Sequence, residues 1–146
     1  MNQIVRIAAL PITPKNLFYF YRAWVERVTD ADTAHLTEFD FGRMHFEKQV
    51  SLRFCHYDGT YLDAWEIFRR PSGLTDAQWA EHRAKGLAGT EFVRGLLPKG
   101  TMIILLTNRD LDGTFRDLAG AIFIPQVDGT FIDLAESLRV SGHLKG

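Results

Sequence analysis

Leu17 to Phe41 reads LFYFYRAWVERVTDADTAHLTEFDF, and its pattern changes at Asp30. Up to Val28 the run is dense in aromatic and β-branched residues, which predicts a strand. Val28-Thr29-Asp30-Ala31-Asp32-Thr33 then closes that strand and opens a second one over Ala34–Phe41, where Leu36, Phe39 and Phe41 alternate loosely with polar neighbours. In extended backbone, side chains two apart share a face, so Asp30 and Asp32 can converge on one hard cation or on its water shell. The same acidic pair is also what a β-turn uses, because aspartate bonds its own backbone there.

Working outward, Phe46 to Tyr57 (FEKQVSLRFCHY) predicts a third strand. Three strands without intervening helices argue for an antiparallel meander rather than a βαβ unit. Asp58-Gly59 between VSLRFCHY and TYLDAWEIF predicts a two-residue hairpin turn. That register sets Tyr57 opposite Thr60 and Arg53 opposite Ala64, and it brings Glu66 diagonally onto the face of Arg53.

Thr75-Asp76-Ala77-Gln78 has the form of a capping box and starts the longest helix. Its expected apolar stripe is Ala84, Leu87, Ala88, Phe92 and Leu96. Gly86 and Gly89 weaken the helix or allow close approach to a strand, and Pro98 with Gly100 ends it. Thr101–Thr107 and Leu118–Ile124 are short continuous apolar runs, read as buried strands, and Ile132 to Arg139 is a short helix ended near Gly142. The chain reads as a single domain over 1–146, with 1–16 as an N-terminal extension.

The totals bound the function. The 146 residues are 46% hydrophobic and 24% charged, an ordinary globular balance. Seventeen basic against eighteen acidic residues leave a formal charge of −1, so no global basic field announces a nucleic-acid partner and an anion site has to be local. One cysteine, Cys55, excludes a disulfide framework and multi-cysteine metal sites, and its apolar setting predicts a buried, inert thiol. No HExxH or comparable spacing joins the histidines, and no nucleophile-elbow pattern surrounds a serine. The start of the chain is too short for a secretory apolar region or a membrane span, so an intracellular, cytoplasmic protein is expected, without a membrane partner. The rings between Phe18 and Trp24 are assigned mostly to the core, with base stacking as the other use. Arg83, Lys85, Arg94 and Lys99 are expected on a solvated face. A monomer is expected.

Five motifs, in order from about Tyr21 to Leu144, resemble the staphylococcal-nuclease-like (thermonuclease) family. Asp30-Ala31-Asp32-Thr33 matches its D-G-D-T turn except at Ala31. Val50-Ser51-Leu52-Arg53-Phe54 matches its V-R-L strand run. Ala88 through Leu97, then Lys99-Gly100-Thr101, fits the end of its middle helix. Asp112-Gly113-Thr114-Phe115-Arg116-Asp117-Leu118-Ala119 keeps the arginine and Leu-Ala of its Y-G-R motif, with Phe115 where glycine is usual. The Asp128-Gly129 turn and Leu138 through Gly142-His143-Leu144 resemble its closing element.

The resemblance implies a five-stranded OB-type Greek-key β-barrel of α+β class with two or three packed helices, and a calcium-dependent phosphodiesterase acting on DNA or RNA. Carried over by residue, Asp32 is a metal ligand, Asp30 a carboxylate orienting metal-bound water, and Arg53 and Arg116 are phosphate clamps. Carboxylates suit a hard divalent cation, Ca²⁺ or another, and guanidinium forks suit phosphate oxygens. The family's second ligand and general base lie in a D-[TA]-P-E segment. Counting from Arg53 without a gap gives Asp58 and Tyr61; allowing a five-residue insertion gives Asp63 and Glu66. A tyrosine, with an ordinary pKa of about 10, is a poor base at neutral pH. A mixed site, with Asp58 on the metal and Glu66 near the base position, is therefore expected. The alternative is a catalytically degenerate OB module that binds nucleic acid or a protein partner, or a structural module of a phage particle.

Overall fold

The computed structural model describes residues 2–11, 20–40, 45–107 and 118–145. Its organising strand is β2 (Phe20–Asp30), which pairs antiparallel with β3 (Thr33–Asp40) on one side and with β5 (Met102–Thr107) on the other. β3 continues to β4 (His45–Phe54), β4 runs parallel to β6 (Leu118–Pro125), and β6 returns antiparallel to β5. The circuit β2-β3-β4-β6-β5 is therefore closed, a five-stranded mixed barrel of OB type. Register shifts at Trp24/Val25, Val25/Arg27 and Val28/Asp30 coil β2 strongly enough to share two partners and close the sheet. Two short strands extend it: β7 (Phe131–Asp133) beside β6, and β1 (Arg6–Ile7) beside β7.

Inside the barrel, alternate residues of β2, β3 and β4 are buried, among them Ala23, Val25, Leu36, Leu52 and Phe54. Each fully buried leucine or phenylalanine contributes about 2 kcal/mol through removal of apolar surface from water. The continuous apolar runs of β5 and β6 have a different cause: both faces are covered. Ile103, Leu105 and Ile122 point into the main core. Leu106, Ala121 and Phe123 form a second cluster against Ile7, Leu10 and Phe20. Thus part of the N-terminal segment, expected as an extension, lies on the barrel. Its backbone is tied to the C-terminal region by Val5 N–H donating to Ser137 Oγ at 2.9 Å and Asp133 N–H donating to Val5 O at 2.9 Å.

Helix α1 (Asp76–Leu96) begins at the predicted capping box: Thr75 Oγ1 accepts from Gln78 N–H and the Gln78 side chain accepts from Thr75 N–H. The expected stripe is rotated, however. Gly86, Gly89, Thr90, Val93 and the following Leu97 are buried, while Ala84 and Ala88 are exposed. The glycines explain the difference. A Cβ at Gly86 would lie 2.6 Å from Ile67 Cγ2 and 2.7 Å from Trp65 O, so the helix meets the 65–67 segment backbone to backbone. Helix α2 (Leu134–Val140) follows β7 directly, with Asp133 as its N-cap.

The stretch after β4 departs from expectation. Tyr57-Asp58-Gly59 is a three-residue connection in which His56 N–H donates to Thr60 O at 2.8 Å and Gly59 N–H to His56 O at 2.9 Å. Gly59 has φ +94°, the left-handed conformation that closes a hairpin with one extra residue. Cys55, not His56, then pairs with Tyr61, and the 62–68 segment leaves the sheet rather than continuing as a strand. Ala64 instead bridges Leu144, and Lys145 N–H donates to Asp63 O at 2.7 Å.

Candidate active site

The β2–β3 turn is built from its own polar groups. Asp32 N–H donates to Asp30 Oδ1 at 3.2 Å, and Thr33 Oγ1 donates to Asp32 Oδ1 at 2.9 Å. Ala31 between the two aspartates is buried, and a Cβ on Gly89 would lie 3.2 Å from the Ala31 Cβ, so helix α1 presses directly on the turn. A buried residue at 31 holds its two neighbours in place from beneath.

Arg53 reaches the same turn through β4. Its backbone is opposite Thr33, Phe54 N–H donates to Asp32 O at 2.7 Å, and Arg53 Nη2 lies 3.9 Å from Asp32 Oδ2. The ion pair is loose and the guanidinium partly exposed, so the contact positions the two groups more than it stabilises the fold. Asp30, Asp32, Thr33 and Arg53 thus share one end of the barrel.

This proximity is expressed in the titration of Asp30. Burial first, and then the hydrogen bond to Asp32 and its charge, push the Asp30 carboxyl up to about 7, against the opposing effect of the Asp32 N–H. A carboxylate pair under this repulsion, at a site with a neighbouring cationic side chain, suits a divalent cation held by one or two carboxylates and otherwise by water and phosphate oxygens. The donor set stops at two: among the described residues no three His, Cys, Asp or Glu side chains are grouped to hold a metal ion.

The other predicted site residues divide. Tyr61 comes to Arg53, whose guanidinium carbon lies 5.3 Å from the centre of the tyrosine ring. Asp58 caps its own turn by accepting Thr60 N–H at 2.9 Å, which lowers its pKa, and it is exposed. Asp63 carries an ion pair at 3.2 Å to Lys145. Glu66 is exposed, and its backbone N–H donates to His82 Nε2 of α1 at 2.8 Å. The register that was to return Glu66 over Arg53 required a two-residue turn; with three residues in the connection the pairing slips by one, and a one-residue slip reverses the faces. Arg116 lies outside the described residues. Cys55 is buried, as predicted, and burial raises its thiol to about 11.

No model of a known protein family matches the chain, and no curated protein sequence matches it. The residues themselves therefore carry the functional reading. The close approach expected of Gly89 is found here, against Ala31; what the sequence did not show is that the partner is the acidic turn itself. Among the described residues no helix is long and apolar enough to cross a membrane.

Proposed function

We propose that this barrel end is a divalent-cation-dependent phosphodiester site and that the protein is a nuclease of the staphylococcal-nuclease-like kind, hydrolysing DNA or RNA. The observation that carries the reading is the convergence of Asp30, Asp32 and Arg53 from two separate stretches of chain. Asp32 and Asp30 would hold the cation, Ca²⁺ in the first instance, which supplies charge neutralisation at the phosphate and polarisation of an attacking water. Arg53 binds the non-bridging phosphate oxygens, and its donors are worth most when charge grows on them. Tyr61 flanks the guanidinium and limits its swing.

A second reading has its own observation. Tyr61 stands over Arg53 where the resemblance calls for a carboxylate base, and Glu66 is anchored on α1. A site with clamp and cation but no base binds a phosphodiester without cutting it.

The deciding experiment is cleavage of single- and double-stranded DNA with Ca²⁺, with Mg²⁺ and with EDTA, comparing wild type with Arg53→Ala, Asp32→Asn and Glu66→Ala. The nuclease reading expects metal-dependent cutting, a loss on the order of 100-fold in the first two variants, and no change in the third. Undiminished cutting in Arg53→Ala refutes it. Absence of cutting combined with Arg53-dependent binding selects the second reading.

A further inference from the structure

The segment that leaves the sheet after Tyr61 lies along the first half of α1 and builds a second surface. Glu66 N–H on His82, Ile67 O accepting from Arg83 Nε at 3.0 Å, and the close approach of residues 65–67 to Gly86 fix it in place. Three aromatic side chains belong to these joined stretches. Phe68 is 72% exposed. Trp65 is half-buried with Lys85 Nζ 5.1 Å from its ring centre, and half-buried Trp79 packs on His82 at 5.7 Å.

Cations belong to the same segment and helix turn. Arg69 and Arg83 are exposed, and among the described residues neither has a carboxylate within ion-pair distance. Lys85 has only Glu81 at 3.6 Å. The cations further along the helix and at its exit differ: Arg94 is engaged by Glu91 at 2.9 Å and Lys99 by Glu26 at 3.2 Å. In a chain of net charge −1, two exposed guanidinium groups without an ion-pair partner among the described residues in one short stretch, even with Glu66 and Glu81 nearby, are a local feature.

Exposed aromatic faces beside exposed guanidinium and ammonium groups are the elements of a single-strand binding surface, where bases stack on rings and cations follow the phosphates. We infer that the Trp65–Phe68–Trp79 face with Arg69, Arg83 and Lys85 binds a segment of single-stranded nucleic acid outside the phosphodiester site, an inference resting on the proposal that the barrel end handles nucleic acid. Trp65 on this face is only four positions after Tyr61 at that site, a span of at most about 14 Å of chain. A strand held at Arg53 can continue onto it.

The test is binding of a fluorescein-labelled twenty-residue oligothymidylate to the full chain across a salt series, with Phe68→Ala, Arg69→Ala and Arg53→Ala, each checked for unchanged thermal unfolding. Wild type binds, Phe68→Ala weakens binding roughly fivefold or more at constant salt, and Arg69→Ala lowers the slope of log affinity against log salt by about 0.7. Wild type that does not bind, or Phe68→Ala and Arg69→Ala that both bind like wild type, overturns the inference. A dimer abolished by Phe68→Ala, with oligothymidylate affinity unchanged, also overturns it and gives the face to a second copy of the chain. Failure of the catalytic reading is distinguishable: there, cutting is absent or insensitive to Arg53→Ala while the Phe68 and Arg69 effects on binding persist.

Discussion

Replacing Asp30 with asparagine isolates the repulsion held in the β2–β3 turn. The amide side chain keeps an oxygen to accept Asp32 N–H, now at 3.2 Å from Asp30 Oδ1, and presents a donor toward the Asp32 carboxylate. In the folded chain the Asp30 carboxyl is raised from 3.8 to about 7, by burial and then by Asp32. Between about pH 4 and 7 the folded state therefore holds a proton that the unfolded state has released, and stability falls as pH rises through that window. Below it both states are protonated and the group costs nothing. Above it the cost is complete. At about 1.4 kcal/mol per tenfold the raised pKa corresponds to about 4 kcal/mol; water reaches part of the group, which reduces the figure to ~2 kcal/mol. Asp30→Asn is accordingly more stable than wild type at pH 8 by ~2 kcal/mol, on the order of 6 °C in Tm for a domain of this size, and nearly equal to it at pH 4. Urea unfolding of both proteins at pH 4, 6 and 8 measures this. A deficit in Asp30→Asn that is the same at all three values would sink the reasoning, because it would mean the carboxylate is wanted for its bonds and carries no net repulsion.

Related outcomes follow from the same structure. Millimolar Ca²⁺ at pH 8 raises the Tm of wild type and leaves Asp32→Asn unmoved; equal shifts in both proteins would place the cation elsewhere. Gly86→Ala is destabilising by about 1–3 kcal/mol despite the better helix propensity of alanine, since its Cβ would meet Ile67 Cγ2 at 2.6 Å. Gly95→Ala, with nothing within 4 Å of the added Cβ, gains roughly 0.5–1 kcal/mol on the same helix, and thermal unfolding of the two variants gives opposite signs. Thr75→Ala removes the acceptor for Gln78 N–H and costs about 1 kcal/mol, read in the same assay.

The barrel was legible because its strands announce themselves by different signals. β2 and β3 carry β-branched and aromatic residues around an acidic turn, and β5 and β6 are uninterrupted apolar runs. The second pair also carried information that periodicity could not separate: a run buried on both faces implies a layer outside the barrel, and that layer is Ile7 and Leu10, packed together with Phe20 of β2. Nothing in the proline-broken start of the chain signals a two-residue strand on β7, because pairing of Arg6–Ile7 depends on a partner over a hundred residues away. The face of α1 was read only in part for a related reason: Phe92 and Leu96 pack on the core, while Ala84 and Ala88 do not. Hydrophobic spacing locates bulk, whereas this helix packs closely through Gly86 and Gly89, where the absence of a side chain is what fits, and buries Thr90 by bonding its hydroxyl to Gly86 O.

For the site, the residue types were legible and their meeting was partly so. Asp30 and Asp32 share a turn, so spacing alone brings them together, and Arg53 joins them because β4 pairs with β3 in the register that sets Arg53 opposite Thr33. The base position turned on a smaller matter. Asp-Gly favours a two-residue hairpin, yet Asp58 uses its carboxylate to cap Thr60 N–H while Gly59 takes the left-handed conformation, and the loop closes with three residues. That single additional residue brings Tyr61 to Arg53 and sends the 62–68 segment toward α1, where its carbonyls meet Gly86. One turn therefore sets two features at once: it gives the phosphate clamp an aromatic neighbour in place of a carboxylate, and it lays Trp65 and Phe68 beside the cations of the helix.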